Sequence, residues 1–347
     1  MGIELSNVTF TEQDDIVPAS GVEAIVNTGT ANTLGGNDLI TGSTIVSAGS
    51  ADSDQLGIFN SGTINTGAGH DIIIGICDQN HFIIPNAGIH NQGTIDTEDG
   101  NDIIIGITQK GHGIFLIGAT INTGDGNDEI TGSGEDGIQV NGQGIIDTGN
   151  GNDTITGTGG YGLLNYYTIN TGDGNDKITG NGTLGGGYGI HNGGLMDTGA
   201  GNDEITGTNA YGWGISTYFG STIDTGEGND TITGTGITGI YNNGIITTGN
   251  GKDSIIAEGG FTGTGSVFLG EGEDYLKGFG SGEFSGGNGN DTLELTSGTY
   301  TVGRWYTAMT FTKGSSIMIT SEFEKLIAGS TTYDFTSLTA GQIIVVA

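Results

Sequence analysis

A five-residue turn ending in aspartate recurs eleven times along the chain. LGGND ends at Asp38, GAGHD at Asp71, EDGND at Asp102, GDGND at Asp128 and GNGND at Asp153. GDGND follows at Asp176, GAGND at Asp203, GEGND at Asp230, GNGKD at Asp253, GEGED at Asp274 and GNGND at Asp291. In the full form T-G-x-G-N-D the two glycines permit backbone angles that would strain other residues, and they turn carbonyl oxygens toward a shared point where the aspartate adds a carboxylate. Oxygen-only donors are the chemistry of hard cations, and calcium takes about 6 to 8 of them at roughly 2.3 to 2.6 Å. A stack of such turns offers carbonyls and carboxylates from two successive copies at each gap, so up to about ten Ca²⁺ would fit eleven turns. The plainer reading, Asp and Asn bonding their own backbone in Asx turns, does not require two glycines and an aspartate at the same offsets in copy after copy.

The spacing of the copies says what must hold them. Successive aspartates lie 33, 31, 26, 25, 23, 27, 27, 23, 21 and 17 residues apart, so the unit varies in its loops and is fixed at one turn. Two positions after each aspartate stands an aliphatic residue, from Ile40 and Ile73 to Leu276 and Leu293. Before the turn, TI(N/D)T supplies Ile64, Ile95, Ile121, Ile146, Ile169, Met196, Ile223 and Ile246. A third segment, seen as GIFN, GIHN, GLLN and GIYN, supplies Ile58, Ile89, Leu163, Ile190 and Ile240, with looser versions at Ile114, Ile138 and Ile215. Each is strand-length with one inward apolar residue, and none can bury that residue alone. Stacked as coils, they form internal ladders. The sequence therefore predicts an all-β fold, a right-handed parallel β-solenoid over residues 22–295 with about eleven coils of ~25 residues, or about 48 Å of rod at the usual strand spacing. Residues 1–21 cap or pair at one end. From residue 296 aromatics and ordinary strand alternation take over, and 296–347 reads as a C-terminal β cap that hides the open edge.

The turns resemble the nonapeptide G-G-x-G-x-D-x-U-x of RTX, or hemolysin-type, calcium-binding repeats. GGNGNDTLE, beginning at Gly286, matches every defined position, and GDGNDEITG and its relatives match from the second position on. The resemblance implies that each calcium takes the first- and third-position carbonyls and the aspartate of one turn, with the second- and fourth-position carbonyls and the aspartate of the next. Carried over, the carboxylate ligands are the eleven aspartates above. The carbonyl ligands are those of Thr123, Gly124, Asp125 and Gly126; Thr148, Gly149, Asn150 and Gly151; and Thr171, Gly172, Asp173 and Gly174. Thr198, Gly199, Ala200 and Gly201, then Thr225, Gly226, Glu227 and Gly228, and finally Gly286, Gly287, Asn288 and Gly289 complete the set. The chain departs from the family in carrying one motif per coil, which implies one column of sites. Leu34 and Glu98 replace the second glycine, and His70 and Lys252 the asparagine, so those turns fit the pattern less well. The C-terminal segment resembles that of RTX exoproteins, especially cyanobacterial ones, which carry an uncleaved type I secretion signal.

Composition agrees with a cation-binding rod. The chain has 347 residues, 73 glycines, 2 prolines and 40 Asp+Glu against 7 Lys+Arg, for a net charge of -33. That charge excludes electrostatic binding to nucleic acid or an anionic membrane, and ten Ca²⁺ would bring it to -13. No stretch is apolar enough for a membrane span, and the start MGIELSNVTFTEQDD lacks a signal peptide's basic and apolar regions. An extracellular or cell-surface location is expected. The single Cys77 reads as a small buried residue, and GTGGYG at 157–162 as an accident of glycine content. His90 and His191 are expected to face solvent, Thr131, Thr156, Thr179, Thr206 and Thr233 to form an outward column, and Ile72, Ile74, Ile103 and Ile105 to make an outer apolar patch covered by CDQNHFIIPNAG and TQKGHG. No acid, base and cation cluster appears, so the expected function is non-enzymatic: a secreted, calcium-rigidified protein of the cell surface or matrix. It would act in adhesion, toward cell-surface polysaccharide, or assemble with copies of itself end to end or laterally into fibres. The alternatives are a polysaccharide-active β-helix lyase or epimerase, or a passive calcium-binding or secretion module.

Overall fold

The computed structural model describes residues 2–44, 55–78 and 86–347. Its coils have three faces, reached in chain order after each aspartate. The first carries strands such as Glu129–Ser133, the second strands such as Asp136–Asn141, and the third short strands such as Ile145–Asp147. Strands of one face pair in parallel with those of the neighbouring coil, and the pairing aligns the repeat. Ile40, Ile73, Ile104, Ile130, Ile155 and Ile178 lie in register on the first face. Ile58, Ile89, Ile114, Ile138, Leu163 and Ile190 do so on the second. Ile64, Ile95, Ile121, Ile146, Ile169 and Met196 do so on the third. Nearly all are fully buried, each worth about 1.5 to 3 kcal/mol against exposure. The core is thus three aliphatic ladders.

One side of the coil has no room for side chains at all. A Cβ on Gly132 of the first face would lie 2.2 Å from the Gly137 carbonyl oxygen of the second, and the same pairing recurs at Gly106 with Gly113, Gly180 with Gly189 and Gly207 with Gly214. These glycines are selected by backbone contact between two faces, so the section is pinched where they meet.

The rod narrows toward its C-terminal end. Phe261–Gly263 is the last strand on the second face, and the 17-residue step from Asp274 to Asp291 leaves only a first-face strand, Tyr275–Lys277, and the third-face strand Gly282–Gly289. Beyond it Gly298–Trp305, Ala308–Lys313 and Ser316–Ser321 run antiparallel, Ile343–Val346 pairs with Gly298–Trp305, and Thr331–Asp334 folds back on Lys325–Ala328. Both caps join the parallel stack. Ile16–Gly21 pairs with Leu39–Thr44, and Lys325–Ala328 with Thr292–Leu295.

Two expectations about the surface need correction. His90 and His191 do point outward, but His90 is 4 % exposed, between the rings of Phe59 and Phe115 at 5.5 and 5.2 Å, and His191 sits among aromatic rings. Phe59 and Phe115 stand at the positions equivalent to His90 in the adjacent coils and remove its water, whereas His191 pairs with Leu164 and Ser216 and stays partly exposed. TQKGHG is the link in which Thr108 ends one strand and His112 begins the next, not a cover, and Ile72, Ile74, Ile103 and Ile105 stay partly exposed. Residues 79–85 of the other insert lie outside the described residues. Thr131, Thr156, Thr179, Thr206 and Thr233 form the expected column in register, and Cys77 is buried and free, donating to the Gln55 carbonyl at 3.1 Å.

Candidate metal centre

The first glycine of each turn takes a left-handed backbone, φ 81° at Gly124 and 78° at Gly172. The second is fixed by proximity: a Cβ on Gly126 would fall 1.3 Å from the Gly100 carbonyl oxygen of the preceding coil. Leu34 and Glu98, where glycine is missing, accept φ of 76° and 58°, so the turn is kept with a strained residue in it. The third-position carbonyls of Asn150, Asp173, Ala200 and Glu227 each accept the N–H of the fourth-position glycine one coil earlier, at 2.7 to 2.8 Å. The second-position carbonyls of Gly199 and Gly226 accept N–H groups of Glu227 and Asn250. Threonines at the first position are fully buried, and hydroxyls such as those of Thr123 and Thr148 reach the next threonine's carbonyl.

All eleven aspartates fold inward to the same corner. Each is at most 2 % exposed, and each Oδ1 accepts the backbone N–H of the equivalent residue one coil earlier. Asp38 donates to Asp71, Asp71 to Asp102, Asp102 to Asp128, Asp128 to Asp153 and Asp153 to Asp176, at 2.7 to 2.8 Å. The series continues through Asp203, Asp230, Asp253 and Asp274 to Asp291. The second oxygen, Oδ2, is buried in all eleven and has no hydrogen-bond partner. Burial drives the carboxyls up, to about 6 at Asp71, Asp128, Asp203 and Asp291 and about 7 at Asp102, Asp176 and Asp253. Asp38, Asp153, Asp230 and Asp274 are also raised by burial. The backbone N–H bonds pull the other way without cancelling it. The three ion pairs among the described residues, His112–Asp136, Lys177–Glu204 and Lys277–Glu258, lie elsewhere and give this column no counter-charge.

The column is longer than the glycine motif reveals. Asp15 sends its N–H to Asp38 Oδ1 at 2.7 Å and Asp291 sends its own to Glu324 Oε2 at 2.7 Å, so Asp15 and Glu324 occupy the aspartate level in the two capping rungs. Neither stands in a glycine turn. The signal they share with the repeat is the apolar residue two positions on, Val17 and Leu326, both buried. A second, exposed ladder runs beside the first: Asn127 N–H donates to Asn101 Oδ1, Asn152 to Asn127 and Asn175 to Asn152. His70 keeps it intact, its Nδ1 accepting the Asn101 N–H at 2.7 Å. Lys252 donates to Asn229 and offers no acceptor onward.

These donors fit a hard divalent cation. The orphaned atoms are carboxylate oxygens, the neighbouring donors are carbonyls, and the fourth-position carbonyl sits beside the next carboxylate: the Gly100 oxygen and Asp128 Oδ1 flank the same face of Gly126. Among the described residues no three His, Cys, Asp or Glu side chains form a cluster. A cation here would bind carboxylates of successive coils and fill its shell with main-chain oxygen. Carbonyls already in the ladder retain a second lone pair for this.

The molecule is, in class, a parallel β-solenoid with one buried carboxylate column. No family model matches the chain, and no curated protein matches it. Among solved structures it is similar to the crystal structure of a hyperactive, Ca²⁺-dependent, β-helical antifreeze protein from an Antarctic bacterium, at TM-score 0.45 and 21 % identity over 85 % of this chain and 82 % of that one.

Proposed function

We propose that this chain is a calcium-rigidified structural rod of the cell surface or extracellular matrix, without enzymatic activity, that acts by adhesion or self-assembly. The observation that carries the calcium reading is the column of eleven buried Oδ2 atoms without partners. Eleven desolvated carboxylates about one strand spacing apart repel one another, and divalent cations between coils would satisfy both their charge and their lone pairs. The resemblance of the turns to RTX repeats supports calcium as the ion and export by a type I route, where extracellular calcium would load the rod. Circular dichroism with and without a chelator, together with metal counting by atomic emission, tests the proposal. Several bound Ca²⁺ per chain and a loss of β structure on chelation are expected; full β structure in a metal-free chain overturns it.

A further inference from the structure

The second face carries a feature that calcium does not use. In four successive coils, residues 158–168, 181–195, 209–222 and 235–247 contain no Asp, Glu, Lys or Arg, in a chain that has 40 acidic residues. Aromatic side chains occupy the outward positions instead. Tyr161, Tyr188 and Trp213 stack along the rod with centroids 5.9 and 5.2 Å apart, and Tyr241, in register with Ser216 three residues further along the strand, meets Trp213 obliquely at 6.2 Å. His191 joins the stack at 4.7 Å from Tyr188 and meets Tyr166 and Tyr218 on its edges, at 5.4 and 6.4 Å. Tyr218 is 62 % and Tyr166 38 % exposed, so ring surface is open to the solvent. Among the described residues the hydroxyls of Tyr161, Tyr166, Tyr188 and Tyr218 bond no protein group, whereas that of Tyr241 accepts from Asn243 at 2.6 Å.

Seven rings in contact, with polar tips and no net charge, are costly to leave in water unless something covers them. The charge of the molecule selects the occupant. An acidic polymer, or a second copy laid side by side over the strip, would be repelled by the rest of a chain that goes from -33 only to -13 with ten Ca²⁺ bound, and a cationic partner would prefer the remaining acidic side chains to this uncharged strip. A neutral, hydroxyl-rich polymer is neither repelled nor drawn elsewhere. Its sugar rings present C–H faces to aromatic rings and hydroxyls to open phenols, and its linear repeat matches a row that advances by one ring per coil. Burial lowers the His191 pKa and keeps that ring uncharged near neutral pH, which preserves the strip.

We propose that this aromatic strip binds a neutral polysaccharide, laid along the rod axis over Tyr161, Tyr188, Trp213 and Tyr241 and flanked by Tyr166 and Tyr218. The assignment gives a ligand class to the adhesive role proposed above and rests on that role for its biological sense. It is tested by affinity electrophoresis of the calcium-loaded full chain through gels containing hydroxyethylcellulose, laminarin, soluble starch or agarose, with alginate as the acidic comparator. Retardation by at least one neutral polymer and none by alginate is expected. Replacing the two solvated flanking rings, Tyr166→Ala with Tyr218→Ala, should weaken it at least about tenfold, as loss of aromatic anchors does. Tyr306→Ala, 92 % exposed on the cap, should leave it unchanged. In a Trp305→Phe background Trp213 is the sole tryptophan, and its emission should shift on adding the retained polymer. No retardation in any neutral gel, equal retardation by alginate, or indifference to the double substitution would overturn the assignment. Circular dichroism of the same samples with calcium and chelator keeps the two readings apart: an intact calcium-dependent rod that ignores every glycan refutes the strip and spares the calcium column.

Discussion

Removing calcium should reverse the pH dependence of this protein. Seven aspartates of the column titrate near 6 or 7 in the metal-free fold, against about 4 for an unfolded aspartate. A folded pKa above the unfolded one means that the native state holds more protons between about pH 4 and 7, so the metal-free rod loses stability as pH rises through that window. Each shift of two to three units corresponds to about 3 to 4 kcal/mol at 1.36 kcal/mol per unit; halved for water reaching the corner of the coil, seven still amount to about 10 kcal/mol. That is as large as the whole stability of an ordinary domain, so the metal-free rod should lose most of its stability between pH 4.5 and neutral pH. Calcium requires the ionised form, so its binding strengthens as the carboxyls deprotonate. The assay is thermal unfolding by circular dichroism between pH 4.5 and 8, with 5 mM-scale calcium or with chelator, about ten times a weak extracellular site's Kd. The chelated protein should melt at least about 15 °C lower at pH 7.5 than at pH 4.5, and the calcium-loaded protein higher. A chelated protein whose melting point is flat or rises over this range would refute the reasoning, since the carboxylates would then have some other counter-charge.

Three further outcomes follow from the same geometry. Asp176→Asn keeps an oxygen for the Asp153 N–H but deletes a charge, so it should lower the calcium-loaded stability by about 2 kcal/mol and reduce the metal count, yet raise the melting point in chelator; Asp125→Asn, on the exposed side, should do neither. Gly151→Ala places a Cβ 1.3 Å from the Gly126 carbonyl oxygen and should cost more than about 4 kcal/mol in chemical denaturation, while Asn150→Ala beside it should stay within about 0.5 kcal/mol. Glu324→Ala leaves the Asp291 N–H without its acceptor at 2.7 Å and should cost about 1 kcal/mol, read as faster amide exchange in Thr292–Leu295 with the middle of the rod unchanged.

The repeat made the rod legible because every copy solves the same local problem. An aspartate followed two residues later by Ile or Leu, and a TI(N/D)T before it, place one apolar side chain per strand on the inner side, and the ladders at Ile130, Ile138 and Ile121 lie where that alternation puts them. The aspartates were visible for the same reason. His90 was misplaced because burial of an outward residue depends on what the neighbouring coil puts beside it: it is covered by Phe59 and Phe115, residues 31 and 25 positions away. Asp15 and Glu324 escaped notice because their turns lack glycine, and only the ladder of N–H bonds shows their place.

By itself the sequence determined a stack of coils, a column of carboxylates on one edge and an oxygen-rich turn suited to a hard cation, because fixed offsets repeated eleven times leave few other folds. Tertiary structure decided what the offsets cannot carry: that one carboxylate oxygen in every copy is buried without a partner, that two faces meet through paired glycines, and that seven rings from four coils converge on an uncharged strip. Those properties arise between coils, across loops of unequal length, where proximity is set by stacking and not by distance along the chain.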